Sequence, residues 1–385
     1  MNNLYCKNLK LQGFRGFNQL QEINFHKQLN VFFGINGSGK SSILRALSFF
    51  LSELTAGSKP NISPGKSDIN NNSNQFELKL EIVYESTYNS KIKFNNLNNL
   101  EREEPLSEAI KNKLIPIVVS YSVQRYLEDG FSHELVSLVS QPDVNFESFN
   151  PGIDFSGLIR WLNLEEAIEL QRKIEKADIS SIAEGKEVKI DTNLVSNLDV
   201  VRNAIESFTG LSQLSLDRTT DPIPLKAKKG NVVLNSAQMS EGERGLLALV
   251  GDIAWRLIRL NKQIDNPLNG TGIVLIDEID LHLHPQWQRT IIPGLVKTFP
   301  NIQFILTTHS PQILSQVESG KIYQLKQDEE SIEIEELKFV YGYDSNRILE
   351  EIMATDDRPI EIKEKFSEIY KMIDDNDFLS ARKHI

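Results

Sequence analysis

Residues 34–41 read Gly-Ile-Asn-Gly-Ser-Gly-Lys-Ser, a complete phosphate-binding loop of the form GxxxxGKS. An apolar run at 29–33 precedes it, as in a buried strand, and residues 42–50 carry apolar side chains at helical spacing. Between a strand and a helix, such glycines let backbone N–H groups face a phosphate chain. An ordinary Gly-Ser turn would need neither the lysine nor the flanking elements, so the stretch predicts an α/β P-loop NTPase.

Two side chains of this loop have separate expected roles. Lys40 would reach the β- and γ-phosphates of a bound ATP, and the Ser41 hydroxyl would bind Mg²⁺. Further contacts to the nucleotide are expected from the rest of the loop and from the serine that follows it, namely Gly34, Asn36, Gly37, Ser38, Gly39 and Ser42.

An acidic pair follows a second apolar run. Residues 273–276 contain no polar side chain, as expected of a central parallel strand, and Asp277 and Glu278 come directly after them. Ligands bind at the carboxyl ends of such strands. Asp277 therefore suits Mg²⁺ binding, and Glu278 suits the base that orients or deprotonates an attacking water. The alternative is a pair of surface carboxylates, which the phosphate loop disfavours.

Ser240 and Glu243 have the spacing of a helix capping box, in which each side chain bonds to the backbone of the other residue. Apolar residues recur at helical spacing from Leu246 to Ile258. A helix N-terminus led by Ser240 and Gly242 is also an anion site that could face a γ-phosphate held by another subunit. The structural and the functional interpretation are compatible, and both are kept.

The histidines differ in what they predict. His309 follows the apolar segment 303–306, which should neighbour the strand ending at Asp277, so a γ-phosphate contact is favoured over a purely structural role. His282 and His284 suggest a metal site. Their i,i+2 spacing is not accompanied by further ligands, so no metal is expected there.

Gln124 follows another apolar segment, 115–120, which is expected to form a second core strand. This position suits a glutamine that senses Mg²⁺ in an ATP site. The pattern around it is loose, and an ordinary surface glutamine fits it equally well.

Together these motifs resemble the heads of ABC-type ATPases. Residues 240–244 resemble the signature motif, the pair at 277–278 resembles Walker B, 279–281 resembles the D-loop, and His309 resembles the switch histidine. The opening at 11–17 is similar to the start of RecF-like and OLD-like heads of the AAA family. Transporter subunits lack such an opening.

A narrower resemblance is carried by residues 272–289, 300–311 and 341–349. They are similar to the PtuA family, the ATPases of Septu anti-phage systems and of some retrons, which work with an HNH nuclease. This chain departs from the expected patterns in two ways. Glu241 stands where the general signature pattern has glycine, and more C-terminal helices are expected than the sequence contains.

The resemblance implies a head-to-tail homodimer, or a higher homo-oligomer, with two composite sites. In such a dimer Ser240 and Gly242 of one chain would cap ATP held by Lys40 of the other. It also implies a sensor or regulator of a separate HNH nuclease in anti-phage defence, with DNA or RNA as a further possible ligand. The sequence itself contains no HNH pattern.

The composition argues against several other classes of protein. The 385 residues include one cysteine, so a disulfide framework is excluded and a reducing cytoplasm is expected. No segment approaches the about 20 apolar residues of a membrane span, and the N-terminus is too polar for a signal peptide. The net charge of −11 argues against a protein coated with DNA but leaves room for a local basic groove.

Sequence patterns divide the chain into four parts. They are the first part of an ATPase head with an antiparallel subsheet (1–139), a helical insertion (140–235), the second part of the head (236–345) and a helical tail (346–385). Helices are expected at 158–176 and 197–208 within the insertion. Sustained heptads are missing there, so an SMC-like coiled-coil arm is not expected.

In the tail, apolar residues recur on one face of a helix that opens near 357–359. A second helix is expected to start at Asp377. The apolar stripe would pack on the head or dock a nuclease or another copy; it comprises Ile362, Phe366, Ile369, Tyr370 and Ile373.

Three other functions remain as alternatives. A RecF-like repair ATPase would bind DNA without a nuclease partner and with strong salt dependence. A transporter ATPase subunit would co-purify with a membrane protein. A small-molecule kinase would use the phosphate loop but would leave Ser240 and His309 unexplained.

Overall fold

The computed structural model describes residues 4–55, 62–104, 106, 116–125, 127–137, 144, 148–149, 155–176, 196–328, 331–353, 360–375 and 377–384. The strands in this described part are β1 (Tyr5–Gln12), β2 (Gln21–Asn24), β3 (Leu29–Phe33), β4 (Gln75–Tyr84), β5 (Ser86–Asn95), β6 (Leu100–Glu103), β7 (Ile117–Tyr121), β8 (Leu211–Leu216), β9 (Leu225–Lys229), β10 (Val232–Asn235), β11 (Gly272–Ile276), β12 (Ile302–Thr308), β13 (Lys321–Gln327) and β14 (Ile332–Leu337). The helices are α1 (Lys40–Thr55), α2 (His133–Ser137), α3 (Ser156–Lys176), α4 (Asn197–Thr209), α5 (Glu241–Leu260), α6 (Pro285–Gln288), α7 (Ile291–Thr298), α8 (Pro311–Leu314), α9 (Ser345–Arg347), α10 (Ile360–Asp374) and α11 (Phe378–His384).

A six-stranded sheet carries the predicted motifs at one edge. Its order is β14-β13-β3-β12-β11-β7, and every pairing is parallel except that of β13 with β14. Because β3, β12 and β11 are parallel neighbours, their carboxyl ends meet at the same edge of the sheet. The phosphate loop, His309 and the acidic pair therefore leave the sheet from adjacent strands, as predicted.

The central strands β3, β12 and β11 of this sheet are buried on both faces. All five residues of β3 and all five of β11 are buried, because alternate side chains enter two different cores. Phe32 lies in a core formed with α1, whereas Val31 and Phe33 lie in a core formed with α5. Burial on two faces explains why these strands appear in the sequence as continuous apolar runs.

A second sheet of five antiparallel strands, in the order β2-β1-β4-β5-β6, packs against α1. Three aromatic rings join the two elements. The Phe14 ring lies 5.2 Å from that of Phe76 and 6.1 Å from that of Phe49, measured between centroids, in edge-to-face geometry. Each such pair adds about 0.5–1.5 kcal/mol beyond the burial of apolar area. The predicted antiparallel subsheet is confirmed.

The described helices of the predicted insertion pack into the head. α3 and α4 match the helices expected at 158–176 and 197–208. However, Trp161 and Val201 are fully buried in the same core as α5, so these helices are part of the head. The amphipathic pattern predicted the helices correctly, but a pattern within one segment does not show what covers its apolar face.

The end of the same segment is not helical. β8, β9 and β10 form a three-stranded antiparallel sheet directly before α5. Leu211, Leu214 and Leu216 on β8 face the core, and Leu225 and Ala227 do so on β9. The strands are short, and a register shift in β8 breaks strict alternation, which explains why the sequence did not predict them.

The tail begins later than the predicted boundary at residue 346. Ile348 is fully buried in the core of the head, and Nε2 of Gln324 donates a 2.7 Å hydrogen bond to the carbonyl of Ile352. Beyond this point α10 and α11 pack against each other. The expected start of α10 at 357–359 lies outside the described residues.

The predicted stripe on α10 is mostly exposed. Ile369 is buried, whereas the other members are 38–63% exposed; these are Ile362, Phe366, Tyr370 and Ile373. Among the described residues, no helix has the length and apolar character needed to cross a membrane.

Candidate functional site

The phosphate loop lies between β3 and α1, and all of its predicted residues lie there or in the first turn of α1. Gly37 and Gly39 have φ angles of 80° and 92°, which side chains rarely allow. A Cβ added at Gly39 would also lie 2.7 Å from Cδ1 of Ile332. Ser38 is fully buried, and its hydroxyl has no hydrogen-bond partner among the described residues. The loop is thus a turn that requires glycine at these positions and contains a buried hydroxyl without a described partner.

Lys40 is folded into the loop. Its Nζ donates 3.0 Å hydrogen bonds to the carbonyl oxygens of Gly34 and Ile35, and the residue is 6% exposed. Burial lowers the pKa of Lys40, while the charges of Glu278, then Asp277, oppose this shift. The ammonium therefore lies close enough to the acidic pair to interact with it electrostatically, and it is held at the phosphate loop.

The acidic pair is fixed by the neighbouring strands. The Asp277 amide donates to the carbonyl of Tyr121 at 2.8 Å. The Thr307 hydroxyl donates to Oδ1 of Asp277 at 2.5 Å and accepts from the Glu278 amide at 2.7 Å. Glu278 has a left-handed backbone with φ of 47°. Thr307 was not predicted, although its position at the end of an apolar strand beside the acidic pair was a usable signal.

The segment after β12 is tied to the turn that follows the acidic pair. Oδ1 of Asp280 accepts a 2.5 Å hydrogen bond from the Thr308 hydroxyl and a 3.2 Å bond from the His309 amide. The Ser310 hydroxyl donates to Oε1 of Gln288 at 2.8 Å. His309 is therefore held at the edge where the acidic pair lies, as predicted. Asp280 and Gln288 hold the segment after β12 through tertiary contacts, which the spacing of motifs in the sequence does not reveal.

A guanidinium lies behind the acidic pair. Arg125 donates from Nη1 to the carbonyls of Asp277, at 2.5 Å, and Ser122, at 3.0 Å, and from Nη2 to that of Glu278, at 2.7 Å. Burial lowers the pKa of Arg125, and the nearby carboxylates of Asp277, Asp280 and Glu278 oppose the shift. Gln124, the predicted residue, lies next to it and is exposed. The expected role of Gln124 stays a prediction, and sequence reasoning did not single out Arg125.

The signature turn has the predicted capping box. The Ser240 hydroxyl accepts from the Glu243 amide at 3.3 Å, and Oε2 of Glu243 accepts from the Ser240 amide at 2.9 Å. Burial opposes ionisation of Glu243, but hydrogen bonds from Lys229 and Ser240 outweigh it and hold the pKa of Glu243 below its ordinary value. Ser240 itself is exposed, so its capped helix end is open to a ligand or partner.

The turn also contacts the segment after the acidic pair. A Cβ added at Gly242 would lie 2.5 Å from the carbonyl oxygen of His282, so only glycine fits this close approach. The unusual Glu241 carboxylate lies 3.1 Å from Nδ1 of His282. Glu241 therefore adds a side-chain contact between the signature turn and this segment.

The two histidines His282 and His284 contact different partners. His284 caps α6 by accepting from the Gln286 amide at 3.3 Å, and His282 faces Glu241. The part of the chain that the structure describes contains no group of three or more His, Cys, Asp or Glu side chains suited to a metal. Mg²⁺ in nucleotide sites takes most of its ligands from phosphates and water, so two protein oxygens suffice. The Ser41 hydroxyl and the Asp277 carboxylate are a chemically suitable pair.

A cavity of about 480 Å³ opens beside the phosphate loop. Residues lining it include Arg15, Gly37, Asn70 and Asp328. Asp68, which is fully buried, holds Arg15 with a 2.9 Å bond between Nε and Oδ1. The volume lies within the range of small-molecule sites, about 300–1,000 Å³.

Comparisons with known proteins agree with this geometry. Residues 29–315 match the family model described as "AAA domain, putative AbiEii toxin, Type IV TA system". The chain is 31% identical to the Retron Ec83 probable ATPase of Escherichia coli, covering 94% of this chain and 78% of that protein. It is 28% identical to the Septu protein PtuA of Bacillus thuringiensis, covering 97% of this chain and 90% of that protein.

Solved structures support the fold. An SMC head bound to the C-terminal winged-helix domain of ScpA aligns with a TM-score of 0.54 and 19% identity, over 87% of this chain and 98% of that chain. The SMC head domain of Thermotoga maritima aligns with a TM-score of 0.50 and 14% identity, over 87% and 99%. The predicted P-loop fold, the resemblance to PtuA and retron ATPases and the ATPase class are confirmed.

Proposed function

The chain belongs to the AAA domain family, described as putative AbiEii toxin of a Type IV TA system, and on that premise we propose that two copies bind ATP head to tail at two shared sites. The observation that carries this proposal is the exposed helix end capped by Ser240, which is open to a second copy of the chain. Among the described residues, the cavity at Gly37 and the cavity beside Arg244 of the signature turn have no lining residue in common. A second copy would bring its exposed Ser240 opposite the first copy's phosphate loop.

Within one proposed ATP site, each residue has a distinct role. Lys40 binds the β- and γ-phosphates, and the backbone N–H groups of the glycine-rich loop donate to the same phosphate chain. Ser41 and Asp277 would hold Mg²⁺, which would neutralise charge on the phosphates. The partner copy contributes the helix N-terminus at Ser240 and Gly242, whose partial positive charge favours an anion.

Hydrolysis requires a water placed in line with the γ-phosphate. Glu278 lies at the end of the strand next to that of His309, and we assign it as the base that orients or deprotonates this water. His309 contacts the γ-phosphate from the adjoining strand end. The nucleoside lies in the cavity at Gly37, where Arg15 and Asn70 offer polar contacts.

The cellular role is proposed from the relatives. Proteins named for retrons and for Septu align along almost the whole chain. We infer that this ATPase is a sensor or regulator in anti-phage defence, acting on a separate HNH nuclease. Phe366 and Tyr370 on α10 are 40% and 63% exposed, and we propose that this face takes part in such a protein contact.

Complementation tests the shared sites. Lys40→Ala and Ser240→Arg are each expected to abolish most ATP turnover. In a head-to-tail heterodimer of the two variants, one site receives both changes and the other receives neither. Random mixing at equal amounts should therefore restore about one quarter of parental activity.

A control variant distinguishes the effect of losing a helix cap from the effect of losing the shared ATP site. Ser196 caps α4 with the same type of capping box, completed by Asp199. Ser196→Arg should cost similar stability but preserve turnover. Full activity of Ser240→Arg alone would contradict the proposal. No recovery after demonstrated subunit exchange would favour either a self-contained site or strict coupling between the two sites.

A further inference from the structure

Arg125 acts on the backbone of the acidic pair. Its guanidinium bonds to two successive carbonyl oxygens, those of Asp277 and Glu278. These are peptide groups, so the two carboxylates remain available for a metal ion and for water. A planar guanidinium can serve both carbonyls at once, whereas the ammonium group of a lysine is a single point and cannot reproduce that fork.

The backbone at Glu278 needs such support. A left-handed conformation is unfavourable for a residue with a side chain, and it persists only when its surroundings hold it. At Glu278 the amide is held by the Thr307 hydroxyl. The carbonyl accepts both from Nη2 of Arg125 and from the Leu281 amide, the latter at 3.0 Å.

We propose that Arg125 is a positioning residue that holds Glu278 in its left-handed conformation and thereby aims the Glu278 carboxylate at the attacking water. This inference rests on the proposed role of Glu278 as the base. It differs from the sequence-based expectation for Gln124, because Arg125 bonds to peptide carbonyls of the acidic pair and would act through the protein backbone.

The effect should be specific to the chemical step. A base displaced by about 1 Å can cost about 10²-fold in rate. Arg125→Lys keeps the positive charge and is therefore expected to lower single-turnover hydrolysis by about 10²-fold while changing the Kd for a labelled, non-hydrolysable ATP analogue by less than about threefold. Arg125→Gln, which removes the charge and keeps a donor, should behave in the same way if the lysine variant does not fold.

A double-mutant cycle tells positioning from a general loss of structure. If Arg125 acts only through Glu278, Arg125→Lys should cost nothing further when Glu278 is already Gln. Arg202 is the matched control, because its Nε also donates to a backbone carbonyl, that of Leu214, at 2.9 Å. Arg202→Lys should lower thermal stability without a selective effect on hydrolysis.

Each outcome of the cycle is decisive. The positioning role of Arg125 would be overturned if the losses of the two single variants multiplied in the double variant. It would also be overturned if folded Arg125→Lys hydrolysed ATP at the parental rate. Either result would leave the assignment of Glu278 as the base intact. A parental rate in Glu278→Gln alone would overturn the base assignment and the positioning role together.

Discussion

The hydroxyl of Thr307 connects the two members of the acidic pair: it donates to the Asp277 carboxylate at 2.5 Å and accepts from the Glu278 amide at 2.7 Å. Thr307 is fully buried on β12, and the pair follows the neighbouring strand β11. One side chain on an adjacent strand thus orients both the proposed Mg²⁺ ligand and the backbone of the proposed base.

Thr307→Val keeps the shape of this side chain but removes both hydrogen bonds. Residues that orient a metal ligand typically contribute about 10–100-fold to metal affinity or activity. We expect a loss of that size in the Mg²⁺ dependence of ATP hydrolysis, measured by titrating Mg²⁺ at fixed ATP. Thr209→Val is the control, since Thr209 is also buried and bonds to backbone away from the site. An unchanged Mg²⁺ titration for Thr307→Val would contradict the bridging role.

Glu278→Gln should bind ATP with near-parental affinity and hydrolyse it about 10²–10⁴-fold more slowly, because only the base is lost. The contacts that close the dimer remain, so the ATP-bound dimer should accumulate and be visible by mass photometry. Glu81→Gln, a surface change at the Lys7 ion pair, serves as control. Hydrolysis at the parental rate in a single-turnover experiment would remove Glu278 from the mechanism.

Asp68 predicts a pH-dependent contribution to stability. Burial disfavours its charge, but hydrogen bonds from Arg45 and Arg15 outweigh this and lower the pKa of Asp68. A lowered native pKa stabilises the fold above the unfolded-state value, about 3.9, and this contribution disappears as pH falls through the native value. Asp68→Asn should therefore reduce the Tm at pH 7, and the difference from the parent should shrink below about pH 4.

The same substitution should also weaken ATP binding, because Asp68 holds Arg15 at the cavity beside Gly37. Asp217, whose pKa is lowered to about 2 chiefly by the hydrogen bond from Lys226, is not among the residues lining that cavity. Asp217→Asn is thus the matched control and should bind ATP normally. Equal ATP affinities for the two variants would argue against the role of Arg15.

The exposed face of α10 predicts an assembly element. Phe366 and Ile373 are 40% and 39% exposed. Burying an apolar side chain contributes about 1.5–3 kcal/mol, so Phe366→Asp with Ile373→Asp should dissolve a modest interface. We expect ATP affinity to persist while higher assemblies of the chain, or its complexes with a candidate HNH nuclease, disappear in mass photometry.

Leu97→Asp, at a site that is 77% exposed in a different part of the molecule, is the control for added surface charge. Simultaneous loss of folding and ATP binding in the α10 variant would show that its apolar stripe belongs to the core of the head. Unchanged assembly and docking would show that α10 has neither role.

Local patterns in the sequence were enough to predict much of this protein. The phosphate loop, the strand before Asp277 and the cap at Ser240 each depend on residues within a few positions of one another, so their spacing carries the information. The sequence also predicted that the motifs lie close together, because parallel strands place their carboxyl ends at the same edge of a sheet. Where the local signal was weak, as in the short strand β8 with its register shift, the prediction was wrong.

Only the tertiary structure decided which side chains complete the site. Arg125 and Asp277 lie 152 positions apart, and Thr307 lies 30 positions beyond Asp277. Their hydrogen bonds exist because β7 and β12 flank β11 in a particular register, which is selected by the burial of whole strands on two faces. Each bond joins residues from different strand ends, so its formation depends on packing far from either residue.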